Sequence, residues 1–229
     1  MAWRLRRRHT TARKNNGFIF FENSIEEEII MFQTASGVFI PFPERIEEKY
    51  CVGENQIMFN ISFEKLKPFL DDFISNLWEP LFLIVQRPLK EKYKPNSFTK
   101  GPFEAELFYF DLRTKAKIAE VMNQFGEILL NDGMSAFGIR SHETGDEIFI
   151  AKYKIAFIFS KSIKQYFSLL KEYGISETND LITAWDTISR EHLAKRSRVV
   201  IDNKDIYDVV EALKDISPIY KSEIIDDTK

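Results

Sequence analysis

The chain has 229 residues, 44% hydrophobic and 29% charged, with a formal net charge of −3, the balance expected of a globular protein with its own core. No apolar run reaches the ~18 residues of a membrane span, and no secretory signal follows the N-terminus. A single cysteine, Cys51, and three histidines, His9, His142 and His192, exclude an internal disulfide and the usual Cys/His zinc sets, so the sequence predicts no bound metal, no cofactor and a reducing cytoplasmic setting.

The first 14 residues, MAWRLRRRHTTARK, hold six basic side chains and no acid, which leaves 26 basic against 35 acidic groups, a charge of −9, on residues 15–229. Three readings of this start stand side by side: a disordered arm that contacts phosphates, a transit-like peptide, or a non-native start covering residues 1–16. The acidic remainder disfavours nucleic acid and steers a basic partner inward. The 21 phenylalanines predict a large aromatic core, or an adhesive surface as well.

Regular patterning begins at GFIFF. IIMFQTASGVFIPF places two apolar runs around Ala35-Ser36-Gly37 and predicts a hairpin; a helix from Ser24 is the alternative, because Ser24 and Glu27 have capping-box spacing. A strand follows at Gln56–Ile61. Then Ser62 precedes Phe63, Leu66, Phe69, Leu70, Phe73 and Leu77, the three- and four-residue spacing of an amphipathic helix with a hydroxyl at its N-terminus. Leu81–Gln86 reads as a strand. RPLKEKYKPNSFTKGP, Arg87 to Pro102, is basic, proline-rich and without periodicity, so it reads as a connector between a unit at 17–87 and a unit at 103–229.

Beyond it the same layout recurs. A strand at Glu106–Asp111 leads through Thr114 into a helix built on Ile118, Val121, Met122, Phe125, Ile128 and Leu129. Strands at Ser135–Ser141 and Glu147–Phe159 lead through Ser162 into a helix that Gly174 ends in a left-handed cap. A short helix, Ile206 to Leu213, follows the turn residues Asp202-Asn203-Lys204. The fold class predicted is α+β: two αβ units with largely antiparallel sheets flanked by helices.

Two segments carry candidate chemistry. In SAFGIRSHETGDEIFIAKYK the alternation of Phe137, Ile139 and Ser141, then Ile148, Ile150 and Lys152, predicts a β-hairpin turning at Thr144-Gly145-Asp146. A catalytic reading makes His142 a general base with Glu143 or Asp146 as its orienter, in a small hydrolase or transferase. Its weakness is geometric, because His142 and Glu143, as neighbours on an extended strand, point to opposite faces. In NDLITAWDTISREH, Trp185 and Asp186 form a candidate recognition pair, since tryptophan is enriched among interface hot spots; the plainer reading is a packed Trp beside a capping Asp. No phosphate-binding loop, nucleophile elbow, paired-histidine or calcium-loop pattern is present. NNGFIFF and KYKIAFIFS echo the aromatic strand of an RNA-recognition motif without its residue order, and buried aromatic strands account for both.

FGIRSHETGDEIFIAKYK and NDLITAWDTIS, with the layout around them from Glu106 to Ile188, resemble uncharacterised bacterial cytosolic proteins grouped near toxin-immunity proteins. The resemblance implies a protein that neutralises a partner by binding it, and it transfers no functional residue. The expected function is therefore a non-catalytic protein-binding module, an immunity or antitoxin protein against a basic toxin, with Trp185, Asp186 and His142 as contact residues. The alternative is the enzyme built on His142, Glu143 and Asp146.

Overall fold

Burial that alternates along the strands and recurs every three or four residues along the helices sets the layers of this fold. The computed structural model describes residues 12–15, 18–21, 32–89 and 104–226. Two compact units are present, Met1–Ile30 and Met31–Lys229. In the first, β1 (Ala12–Asn15) and β2 (Phe18–Phe21) pair antiparallel from Ala12↔Phe21 to Asn15↔Phe18. Arg13 and Lys14, assigned from sequence to a disordered or non-native start, thus lie in a paired strand, while residues 1–11 lie outside the described residues.

The second unit runs β3 (Val38–Phe39), β4 (Lys49–Val52), β5 (Gln56–Phe59), α1 (Phe63–Asn76), β6 (Leu81–Pro88), β7 (Glu104–Arg113), α2 (Lys115–Asn131), β8 (Ala136–Ser141) and β9 (Glu147–Ile150). It continues with β10 (Ala156–Phe159), α3 (Phe167–Glu172), β11 (Ser176–Glu177), α4 (Ala184–Thr187), β12 (Lys195–Arg196), α5 (Ile206–Ile216) and β13 (Ile219–Asp226). Nine strands form one sheet in the order β11-β4-β5-β10-β9-β8-β6-β7-β13. Every pairing in it is antiparallel except β11 with β4. The class is α+β, as the sequence predicts. The strands before and after Arg87–Pro102 nevertheless interleave: β5 pairs with β10, and β6 lies between β8 and β7. What reads from sequence as two αβ units therefore shares one sheet. Residues 90–102 of the connector lie outside the described residues.

Alternation turns Leu81, Leu83 and Val85 of β6, Phe108 and Phe110 of β7, Phe137 and Ile139 of β8, and Ile148 and Ile150 of β9 to one side, where they are buried with the apolar stripes of the helices. α1 contributes Leu66, Phe69, Leu70 and Phe73; α2 contributes Ile118, Val121, Phe125 and Leu129; α5 contributes Val209, Val210 and Leu213. The rings interlock across the layers, Phe59 with Phe69 at 5.1 Å and Phe73 with Tyr166 at 4.8 Å between centroids. Such contacts add specificity to the burial that drives the layer together.

Caps follow the predicted pattern in part. The Thr114 hydroxyl accepts from Lys117 N–H at 3.2 Å, and Asp205 accepts from Tyr207 and Asp208 N–H. Gly174 takes φ +75 where its helix ends. Ser62 does not cap; its own N–H donates to Glu48 Oε1 at 2.9 Å. Ser162 likewise makes no side-chain cap, and the helix after it starts as a 3-10 turn at Ile163–Tyr166.

Two strand expectations are corrected. The turn at Ser36-Gly37 forms, with Val38 N–H donating to Ala35 O at 2.9 Å, but Phe32–Thr34 is not a strand, and β3 pairs instead with β12, Lys195↔Phe39 and Arg196↔Val38. Residues 29–31 of that segment lie outside the described residues. The cause is a junction of three distant loops. Gly37 N–H donates to Asn131 O at 2.9 Å, Ser197 N–H to Gly37 O at 2.8 Å and Gly133 N–H to Ser197 O at 3.0 Å. A Cβ on Gly133 would stand 1.9 Å from Gly37 O, so both glycines are needed for the approach.

The second correction is Glu147–Phe159, read as one strand. It breaks into β9 and β10 at a tight turn, Lys152–Lys154, where Tyr153 and Lys154 take φ 58 and 60. Lys154 turns inward there and donates to Leu129 O at 3.0 Å, with its ammonium 5.9 Å from the Phe137 ring.

Candidate partner-binding face

The residues that alternate with the core positions face the other side of the sheet. At the β5–β10 end this side is closed by a smaller cluster: Ala35, Val38, Ile40, Ile46, Ile155 and Ala184, with Met58 and Phe157 packed against it. From β10 to β7 the outer face carries an open groove of about 860 Å³ lined by Phe149, Tyr109, Arg140, His142, Glu143 and Lys161 among others.

Strand register orders this outer face into rows, of which Phe149, Ile84 and Tyr109 line the groove while Met58 and Phe157 lie under the smaller cluster. Successive cross-strand partners run Met58–Phe157–Phe149–Gly138–Ile84–Tyr109. Directly opposed residues of this kind stand ~5 Å apart, so their side chains form a row interrupted at Gly138. A parallel row runs Gln56–Phe159–Glu147–Arg140–Phe82–Asp111. Phe82, Tyr109, Phe149, Phe157 and Phe159 are each only partly buried. Phe157 and Phe159 stack at 6.0 Å, and Phe82 meets Tyr109 edge-on at the same spacing.

His142 and Trp185 sit on this array at separate points. The His142 backbone N–H donates to Pro80 O at 2.9 Å, and its exposed imidazole lies edge-on to Phe82 at 6.4 Å. Trp185, 46% exposed, lies beside Phe157 at 6.2 Å. Asp186 is occupied locally: its Oδ2 accepts from the Thr183 N–H and hydroxyl, both at 2.8 Å, closing the capping box of α4.

The acids next to His142 do not gather around it. Glu143 is exposed at the groove rim, whereas Asp146 is buried and its Oδ2 accepts from Thr144 Oγ1 at 2.9 Å and Gln165 Nε2 at 3.3 Å. Burial, reinforced by Asp146, holds the Tyr166 phenol well above its ordinary pKa. Among the described residues no hydrogen bond or ion pair links His142 to Glu143 or Asp146, the latter being held by Thr144 and Gln165. Deeper in the groove, Glu147 faces Arg140 at 3.3 Å; burial raises its carboxyl above the usual range while the guanidinium opposes the rise. Among the described residues no group of three His, Cys, Asp or Glu side chains is placed to hold a metal, and no helix is long and apolar enough to cross a membrane.

The aromatic members of this array are absent from the contacts expected from sequence. Phe157 and Phe159 of KYKIAFIFS, read there as buried, are half-buried on the outer face. The signal was present: FLIVQ, EIFI and AFIF are apolar at successive positions, so residues on both faces of the sheet are apolar. No protein-family model, curated protein sequence or solved structure matches this chain.

Proposed function

We propose that this protein is a non-catalytic binding module that takes a basic protein partner on the outer face of its sheet. An immunity or antitoxin protein that neutralises a basic toxin is the specific form of that reading. The observation that carries it is the set of partly buried aromatic rings on a groove of about 860 Å³, which offers rigid apolar contact area. The charge of −9 on residues 15–229 supports a basic partner. It supplies long-range attraction, while Phe149, Tyr109 and Trp185 supply short-range anchors.

The test is capture from the host lysate with the full chain and with a Tyr109→Asp, Phe149→Asp double variant whose fold is verified by circular dichroism. A basic protein identified by mass spectrometry should bind the purified chain, and the double variant should lose it. Its association rate should fall as salt rises, because screening limits the field to about 8 Å at physiological ionic strength. Equal binding by both forms, or an activity abolished by His142→Ala, would overturn the reading.

A further inference from the structure

We infer that Gly138 is a positioning residue of the partner-binding face: the side chain it lacks leaves room for the Phe149 ring to lie across β8, and the partner docks on the ring in that place. This rests on the reading of the outer face as the partner's seat.

Strand parity puts position 138 on the outer face, since its neighbours Phe137 and Ile139 are buried on the core side. Its cross-strand partners are Phe149 on β9 and Ile84 on β6. Adjacent strands lie ~5 Å apart, so Phe149 and Ile84, two strands from each other, are separated by the width of β8. The glycine opens that space. A Cβ on Gly138 would stand 2.7 Å from Phe149 Cδ2 and 2.8 Å from Ile148 O. The ring therefore takes up volume that a side chain at 138 would fill, and it reaches over β8 toward Ile84. Gly138 is buried, while Phe149 stays half-buried and lines the groove with Ile84 and Tyr109.

The neighbour on the other side is engaged elsewhere. Phe157, the cross-strand partner of Phe149 on β10, stacks on Phe159 at 6.0 Å and lies beside Trp185 at 6.2 Å. The rings of the outer face thus divide, Phe157 with Phe159 and Trp185, and Phe149 toward β8. A glycine inside a strand weakens it and marks a place where another group comes close. Here that group is the Phe149 ring. A ring seated before the partner arrives loses little rotamer freedom on binding, which favours affinity. A side chain at 138 would push the ring out of its seat and remove that advantage.

The first measurement needs no partner. In the isotope-labelled full chain, a nuclear Overhauser contact should join the Gly138 Hα to the Phe149 ring protons; its absence would overturn the inference. The purified basic protein recovered by capture is then titrated against Phe149→Leu, Gly138→Ala and the double variant. Each single variant should weaken binding about tenfold or more. The double variant should bind no more weakly than Phe149→Leu alone, because the alanine acts through the ring. Additive losses, or wild-type affinity for a folded Gly138→Ala, would overturn the positioning role. Should Gly138→Ala not fold, the Overhauser contact and Phe149→Leu decide: wild-type affinity for Phe149→Leu overturns the inference. A partner weakened by Tyr109→Asp but by neither Phe149→Leu nor Gly138→Ala would do the same and leave the protein-binding reading intact. A partner indifferent to Tyr109→Asp as well would remove that underlying reading.

Discussion

Lys154 is the most exacting test of how this fold handles charge. Its ammonium is fully buried, and burial lowers its pKa from 10.5 to about 8, against the pull of Asp132. Leu129 O, which it contacts, is one of the last carbonyls of α2; the amide four residues on, Gly133 N–H, donates to Ser197 O instead. Lys154 thus satisfies a helix-end acceptor at the cost of desolvating a cation. The sign follows from proton counts. Between pH 8 and 10.5 the unfolded chain binds more protons at this position than the folded chain, so stability rises with pH through that window. A depression from 10.5 to about 8 corresponds to at most about 3 kcal/mol, of which about 2 kcal/mol is recovered between pH 7 and 9.5, below the main tyrosine titrations. Urea unfolding at pH 7, 8 and 9.5 measures it, with Lys154→Met as the reference. The methionine preserves much of the volume, and Asp132 keeps its backbone donors Met134, Ser135 and Val199. Wild type should gain stability across the series relative to Lys154→Met. Parallel pH profiles for the two proteins would refute the assignment of a buried, partly neutralised lysine.

Gly133→Ala should destabilise by about 2 kcal/mol or more, since its Cβ would collide with backbone at Gly37; a shift of the urea midpoint below that size would mean that the junction yields easily. Phe137→Ala, at a fully buried ring on β8, should cost about 3–5 kcal/mol, whereas Phe149→Ala on the outer face should cost less than half as much in the same urea unfolding. His142→Ala should change stability by no more than about 1 kcal/mol, because the imidazole is exposed and meets Phe82 only edge-to-face at 6.4 Å among the described residues.

Local chemistry was legible in the sequence wherever the determinants lie within a few residues of one another. Thr114 and its helix, the Gly174 stop, and the hairpin through Ser141 and Gly145 all follow from spacing and turn residues that the chain carries in place. Failures fall where the determinant is remote. The pairing of Val38–Phe39 with Lys195–Arg196 depends on backbone contacts among Gly37, Gly133 and Ser197, which no periodicity encodes. The break at Tyr153–Lys154 uses left-handed backbone at two non-glycine residues, and it persists because Lys154 is held inside, not because the local sequence favours a turn. The candidate site was half visible. His142 and Trp185 stand out as conspicuous residues in the sequence, but Phe149 and Tyr109 come onto one face, in one cross-strand row, only through the strand order, which sequence spacing does not reveal.

The interleaved strand order has a consequence for how the chain is made. β5 finds its neighbour β10 about a hundred residues further along, Phe59 opposite Ala156. At ribosomal rates of roughly 5–20 residues per second, the β4–β5 pair waits on the order of 5–20 s with both edges unsatisfied, since β11, the other neighbour of β4, is made later still. Over that interval the apolar residues on both sides of β5, Ile57 and Phe59 on one and Met58 on the other, are open to wrong pairing. The chain therefore cannot complete its sheet vectorially, and the nascent N-terminal strands are the segment that holding chaperones should engage during translation.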